Sequence, residues 1–200
     1  MEPQAILARL ALAEGLPEAA ILAARERWDE VAPLLVDLVE RYAAGDAATR
    51  DVRPAVFWSF HLLGERREQA AYRPLARLLT IDTDDLDDLL GDALTETVHR
   101  VMAALFDGDP GPLQVVIEAE HANEFVRGRM LETLALLVLR GQLERGEVAR
   151  YLRDAFMNLR PHADNHVWHG WQSAIAVLGL KELAPLVRKG FARGLIHPRT

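Results

Sequence analysis

Apolar side chains recur along this chain at i, i+3, i+4 and i+7 in nearly every window, and stretches that alternate apolar with polar residues are absent. That periodicity belongs to helices with one buried face, not to strands. Punctuation divides the pattern into ten or eleven helices. Residues 2 to 14 form the first, ended by Gly15, and Pro17 opens the second at a first turn, where its missing N–H costs nothing. Asp29 is placed to cap a helix that reaches Ala44 and is closed by Gly45; Asp51 is placed to cap the next, with Gly64 just past its end. A short helix around Pro74 precedes a long one from Asp84 to Phe106, capped by Asp82 or Thr83. The segment FDGDPGP cannot continue a helix. Beyond it, helices are expected at 112–120, 124–140, 144–159, 164–178 and 182–193, with Asn123 capping the second of these and Gly141 closing it.

A longer period runs above the helical one. Pro-Leu recurs at Pro33, Pro74, Pro112 and Pro185, each close to the start of a helix-periodic stretch. The first two gaps are 41 and 38 residues and the third is 73, about twice the others, which places a missing copy near Val148. Periods near 40 residues are those of paired helices stacked side by side, because one hairpin alone buries too little apolar surface to stay folded. The segments DVRPAVFWSFHLLG, EFVRGRMLETLALLVLRG and, more loosely, NHVWHGWQSAIAVLG align as second helices of successive hairpins, with Arg53 and Arg127 in the same place. The expected fold is all-α: a right-handed α-α superhelix of stacked helical hairpins, a HEAT-like array, forming one domain over residues 1–200. In HEAT-type repeats such an arginine ladders with acidic groups of the neighbouring turn, which implies a structural ion-pair role for Arg53 and Arg127.

Composition narrows the chemistry. At 50% hydrophobic and 26% charged residues the chain falls among ordinary globular sequences rather than disordered ones. Its longest apolar runs fall far short of the ~18 residues that span a bilayer. Glu2, Arg9 and Glu14 interrupt the N-terminal stretch where a secretory signal needs continuity. With no cysteine there is no disulfide framework, thiol nucleophile or cysteine zinc site, which suits a reducing cytoplasm. Charge is unevenly spread: residues 1–124 carry 11 basic and 24 acidic side chains, residues 125–200 carry 12 and 6. Stacked end to end, that asymmetry becomes a dipole able to orient a partner.

Three clusters invite a functional reading. The acidic run from Asp82 to Asp92 fails the calcium-loop pattern, since Leu86, Asp87 and Ala93 stand where an oxygen donor, glycine and glutamate are required. In an unbroken helix Asp88, Asp92, Glu96 and His99 share a face, and Asp92, Glu96 and His99 could serve a metal-dependent enzyme, although the second Glu-x-x-His of a di-iron bundle is missing. His162, Asp164, His166 and His169 put four metal-ligand types within eight residues, without a zinc-protease spacing. Nucleophile elbows, Walker loops and dinucleotide fingerprints are absent, and no cofactor is called for. The basic C-terminal part is the one candidate surface for nucleic acid. Net negative charge and the lack of an aromatic-basic ladder make that binding an unfavoured alternative.

Over GDALTETVHRVMAALFDGD and ANEFVRGRMLETLALLVLRG the chain resembles the bacterial proteins grouped as domain of unknown function 1186, across roughly residues 25 to 195, most specifically at Gly91, Asp92, Leu94, Thr95 and Glu96 and at Asn123 to Arg127. The resemblance implies a helical, HEAT-like fold and brings no activity. A glycine inside a helix costs about 1 kcal/mol against alanine, so Gly91 is expected to mark a close helix-helix approach. Asp92, Thr95, Glu96, Asn123, Glu124 and Arg127 are then expected to converge in one groove, as a binding surface or as the ion-pair seam of the stack. The expected function is a non-catalytic cytoplasmic scaffold that binds another protein through that groove.

Overall fold

The computed structural model describes residues 1–197, and among them every regular element is helical. In chain order these are α1 (Pro3–Ala11), α2 (Glu18–Glu26), α3 (Trp28–Ala43), α4 (Arg53–Arg66), α5 (Tyr72–Leu78), α6 (Thr83–Leu90), α7 (Ala93–Glu96), α8 (Val98–Leu105), α9 (Gly111–Glu118), α10 (Glu124–Leu139), α11 (Arg145–Asn158), α12 (His166–Val177) and α13 (Ala184–Ala192). Short 3-10 turns at Ala47–Val52, Gln69–Ala71 and Lys181–Leu183 lead into α4, α5 and α13.

The helices pair along the chain: α3 packs on α4, α9 on α10 and α11 on α12 across short connections, and α5 on α8 across a connection that contains α6 and α7. The pairs then stack into two layers. First helices meet in the order α3, α5, α9, and second helices in the order α4, α8, α10, α12, with α1 closing the second layer against α4. The Pro-Leu period marks the first layer. Pro74, Pro112 and Pro185 lie in the opening turns of α5, α9 and α13, Pro33 lies six residues into α3, and α11 carries Val148 where the fourth copy is missing. Buried apolar side chains form one contiguous cluster from Ile6 to Ile196. Helix α10 sits at its centre, touching α7, α8, α9, α11 and α12, and buries residues almost all the way round.

Local signals act as physical chemistry requires at several ends. Asp82 Oδ1 accepts from the N–H of Asp84 and Asp85 at 3.0 and 3.4 Å, and Asn123 Oδ1 accepts from Phe125 and Val126 at 2.9 and 3.3 Å. Elsewhere the chain departs from expectation. The long helix from Asp84 to Phe106 is three pieces, because Gly91 adopts φ +49°, ψ −131° and Thr97 leaves the helical region at φ −126°. A Cβ on Gly91 would meet nothing closer than the Asp87 carbonyl oxygen at 4.0 Å, so this glycine breaks a helix and marks no close approach. Asp88, Asp92, Glu96 and His99 therefore do not share one continuous helical face.

The close approaches lie at other glycines. Gly64 is inside α4 and faces Val101 of α8, with the end of the helix taken by left-handed Arg67 at φ 55°. Gly170 of α12 lies against the Gly128 backbone of α10. Two further boundaries shift: Asp29 lies in the first turn of α3 rather than ahead of it, and Asp46 rather than Asp51 caps the turn leading into α4.

Candidate functional site

The N-terminal ends of the second-layer helices are tied from one repeat to the next. Arg53 Nη2 meets Asp85 Oδ1 at 2.9 Å and its Nη1 meets Asp88 Oδ2 at 3.4 Å, joining α4 to α6. Asn123 Nδ2 donates to Asp87 Oδ1 at 3.0 Å, joining α10 to α6. The His166 N–H donates to Glu124 Oε2 at 2.7 Å, so the carboxylate of α10 caps the positive end of α12. Arg127 departs from the ladder. It is 1% exposed and donates from Nε to the Ile117 carbonyl at 2.8 Å and from Nη2 to the Arg160 carbonyl at 2.6 Å, stitching α10 to the ends of α9 and α11. Burial draws its pKa below the ordinary arginine value, opposed by Glu120 nearby.

Asp92 and Glu96 are exposed and Thr95 half-buried. Thr95 Oγ1 donates to the Asp92 carbonyl at 3.2 Å and Arg100 Nη2 to the Glu96 carbonyl at 3.2 Å. Among the described residues no hydrogen bond or ion pair joins these three to Asn123, Glu124 or Arg127, whose polar groups hold helices together.

The histidine cluster divides. His162 Nε2 lies 2.7 Å from Arg160 Nη1, a neighbour whose charge opposes a metal cation, and Asp164 points to His197 at 3.5 Å. His166 and His169 stack on the same face of α12, with ring centroids 5.3 Å apart, and Phe125 lies 4.4 Å beyond His166. Among the described residues no three histidine, aspartate or glutamate side chains are grouped to hold a metal ion. His162 and Asp164 thus go to other partners, while His166 and His169 stay together on α12.

Where His166 and His169 point, a cavity opens. Val167, Trp168, Trp171, Ala174 and Ile175 bury the inner face of α12, and the two indoles donate to the Pro161 and Leu152 carbonyls at 2.8 and 2.7 Å. That pins the outer face of α12 alongside the outer face of α10. Between them lie two adjoining clefts that share Glu132 and Ser173. The first, about 450 Å³, is polar: His166, His169 and Gln172 on one side, Arg129 on the other, His197 and Phe191 at its end. The second, about 420 Å³, is mainly apolar, floored by Ala135, Leu136, Leu139 and Val177 and bordered by His99, Arg100 and Arg140. Leu139 is 63% and Val177 53% exposed, which is costly for side chains of that size without a partner. The Nδ1 atom of His99 is buried without a hydrogen-bond partner, and burial first, then Arg129, pushes the His99 pKa below the ordinary imidazole value, against Glu132.

Sequence reasoning passed over this groove. Its signal lies in residues that keep a three-or-four spacing off the core: Arg129, Glu132, Leu136 and Leu139 on α10, and His169, Ser173 and Val177 on α12. The two glycines that let the helices meet stand at the fifth position of each.

Taken together, these features define an all-α array of paired helices with a groove along its second layer. Over residues 1–199 the chain matches the family described as protein of unknown function (DUF1186), and it belongs to that family. It is similar to two chlamydial proteins, both named uncharacterized protein. The relative from Chlamydia muridarum is 29% identical over 199 residues, 98% of this chain and 80% of the relative. The relative from Chlamydia trachomatis serovar D is also 29% identical over 199 residues, 98% of this chain and 79% of the relative. No solved structure matches the chain. Among the described residues no helix is long and apolar enough to cross a membrane.

Proposed function

We propose that the chain is a non-catalytic, cytoplasmic scaffold, one HEAT-like right-handed superhelical domain over residues 1–200, which binds another protein through the groove on α8, α10 and α12. The observation that supports this reading is the continuous pair of clefts along the second layer, in which the exposed apolar side chains Leu139 and Val177 line one cleft together between arginines. Apolar side chains clustered in a groove with a polar rim are the usual composition of a protein-binding site. Of the polar residues singled out by sequence, Asn123, Glu124 and Arg127 contribute as the frame, bonding α10 to α6, to the first turn of α12 and to the end of α9.

Photo-crosslinking inside the source cell tests the reading. A photoreactive residue at Leu139 or Val177 gives discrete protein adducts, whereas one at Met157, equally exposed on α11 in the first layer, gives none. Adducts from Met157 alone, or the same adducts from all three positions, refute the groove as the binding face.

A further inference from the structure

We infer that the segment seated in this groove is acidic and amphipathic: an apolar anchor flanked by carboxylates. The inference rests on the scaffold reading above and adds the chemistry of the partner. Three arginines, Arg100, Arg129 and Arg140, border the two clefts against the single carboxylate of Glu132. Arg129 already holds Glu132 at 2.5 Å, so that acid is neutralised in place. Arg100 and Arg140 are different. Each donates to a main-chain carbonyl, of Glu96 at 3.2 Å and of Ala103 at 3.3 Å, and neither has a carboxylate partner among the described residues. Two cations thus stand beside the apolar floor made by Leu136, Leu139 and Val177 with their charge uncompensated.

At the other end of the groove the lining is polar, with His169, Gln172 and His197, while the N-terminal end of α12 is already capped by Glu124 and Asn165 and His197 faces Asp164, so the anion-seeking charge of the groove lies at Arg100 and Arg140. From Arg129 to Leu139 the groove follows eleven residues of α10, ten steps of ~1.5 Å or about 15 Å. An apolar side chain over Leu139 and Val177 can therefore be combined with carboxylates toward Arg100 and Arg140 in one short segment.

The charge of the whole chain agrees. Most of the groove comes from residues 125–200, which carry 12 basic against 6 acidic side chains, and its α8 edge adds Arg100, while residues 1–124 as a whole carry 24 acidic against 11 basic. An acidic partner is drawn to the groove and repelled by the rest of the molecule, which fixes where it docks. A nucleic-acid backbone would be drawn by the same charge, but the floor between the arginines is aliphatic and offers no stacking platform.

Fluorescence anisotropy with the full chain and labelled peptides of about a dozen residues tests this, that length covering the ~15 Å groove in either helical or extended form. The probes are a Glu/Leu peptide, its Lys/Leu counterpart, a Glu/Ser peptide without the anchor, and a single-stranded oligonucleotide. The Glu/Leu peptide is expected to bind at least about tenfold more tightly than the other three, and to weaken as salt rises from about 50 to 300 mM. Arg100→Glu with Arg140→Glu, and separately Val177→Asp, are each expected to weaken it about tenfold with the circular dichroism spectrum and Tm unchanged. Equal or tighter binding of the Lys/Leu peptide or the oligonucleotide, no binding of any probe, or indifference to both variants overturns the inference. Adducts formed from Leu139 in the cell would in that case still uphold the scaffold, so the two failures are distinguishable.

Discussion

Replacing Gly170 by alanine addresses the contact on which the groove is built. A Cβ there would lie 2.3 Å from the Gly128 carbonyl oxygen, 2.4 Å from its Cα and 2.6 Å from its carbonyl carbon, where ordinary contact begins at 3.4 Å. None of these atoms can rotate aside, since all belong to the backbone of α10. The helices must separate by about 1 Å, and overpacking of a core costs about 1–3 kcal/mol, here at the upper end because both helices are held on other sides. Alanine returns up to ~1 kcal/mol through its helix propensity, so the net loss is about 2 kcal/mol, or a fall of roughly 4–8 °C in Tm for a chain of this size. Two companions calibrate the measurement. Gly128→Ala meets the His166 carbonyl oxygen at 3.1 Å and is expected to cost less, while Gly146→Ala meets only the Arg150 guanidinium at 4.0 Å and is expected to be neutral or slightly stabilising. Urea unfolding of the three variants should rank them in that order. Gly170→Ala at least as stable as Gly146→Ala would mean that α10 and α12 do not meet at these glycines.

Other substitutions separate exposed from buried polar groups. Arg53→Ala breaks pairs in which the arginine side chain is 36% and its partners 46% and 71% exposed, and is expected to cost less than ~1 kcal/mol by urea unfolding. Arg127→Met leaves the Ile117 and Arg160 carbonyls without their buried donor, and about 3 kcal/mol is expected; equal effects of the two substitutions would contradict the distinction. Asn123→Ala removes the cap of α10 and the bond to Asp87 and should cost about 1 kcal/mol, whereas Asn123→Asp should keep the cap and lose the bond. Burial lowers the His61 pKa below the ordinary imidazole value of about 6.5, so the unfolded chain takes up the proton first on acidification. Its contribution is complete above the unfolded pKa and is lost as pH falls through it towards the folded value. His61→Phe, among the edges of Phe57 and Phe60, should therefore show a shallower loss of stability below about pH 6.5; a steeper loss than in the parent would reverse the sign.

Much of the helical pattern is legible because it is local. Asn123 and Asp82 can be recognised as caps from their position before an apolar-periodic run, and three of the four Pro-Leu pairs report the stacking period because the first turn is where proline is tolerated, Pro33 lying inside α3. Glycine is where local reading fails. Gly64, Gly91, Gly128 and Gly170 all sit in helical pattern, yet one breaks a helix through its backbone and three lie inside one, with Gly64 beneath Val101 and Gly170 against Gly128. Sequence alone does not say which, since the deciding factor is a neighbour far along the chain. The same holds for arginine: Arg53 and Arg127 align, but only the environment makes one a surface ion pair and the other a buried donor to carbonyls. The groove was hidden for a related reason. Arg129, Glu132 and Leu139 read as the solvent face of a helix until α12 lies beside them, and His162 to His169 read as one cluster until His162 and Asp164 turn to other partners and leave His166 stacked on His169.

Hydroxyl-radical footprinting of the chain with its crosslinked partner, or with the Glu/Leu peptide, tests the central claim most directly, since the exposed apolar side chains are its reporters. Leu139, Val177 and Phe191 are expected to lose reactivity while Met157, Leu12 and Leu22 keep theirs. Protection of Met157, Leu12 or Leu22 with Leu139 and Val177 still reactive would place the partner on another face and contradict the groove.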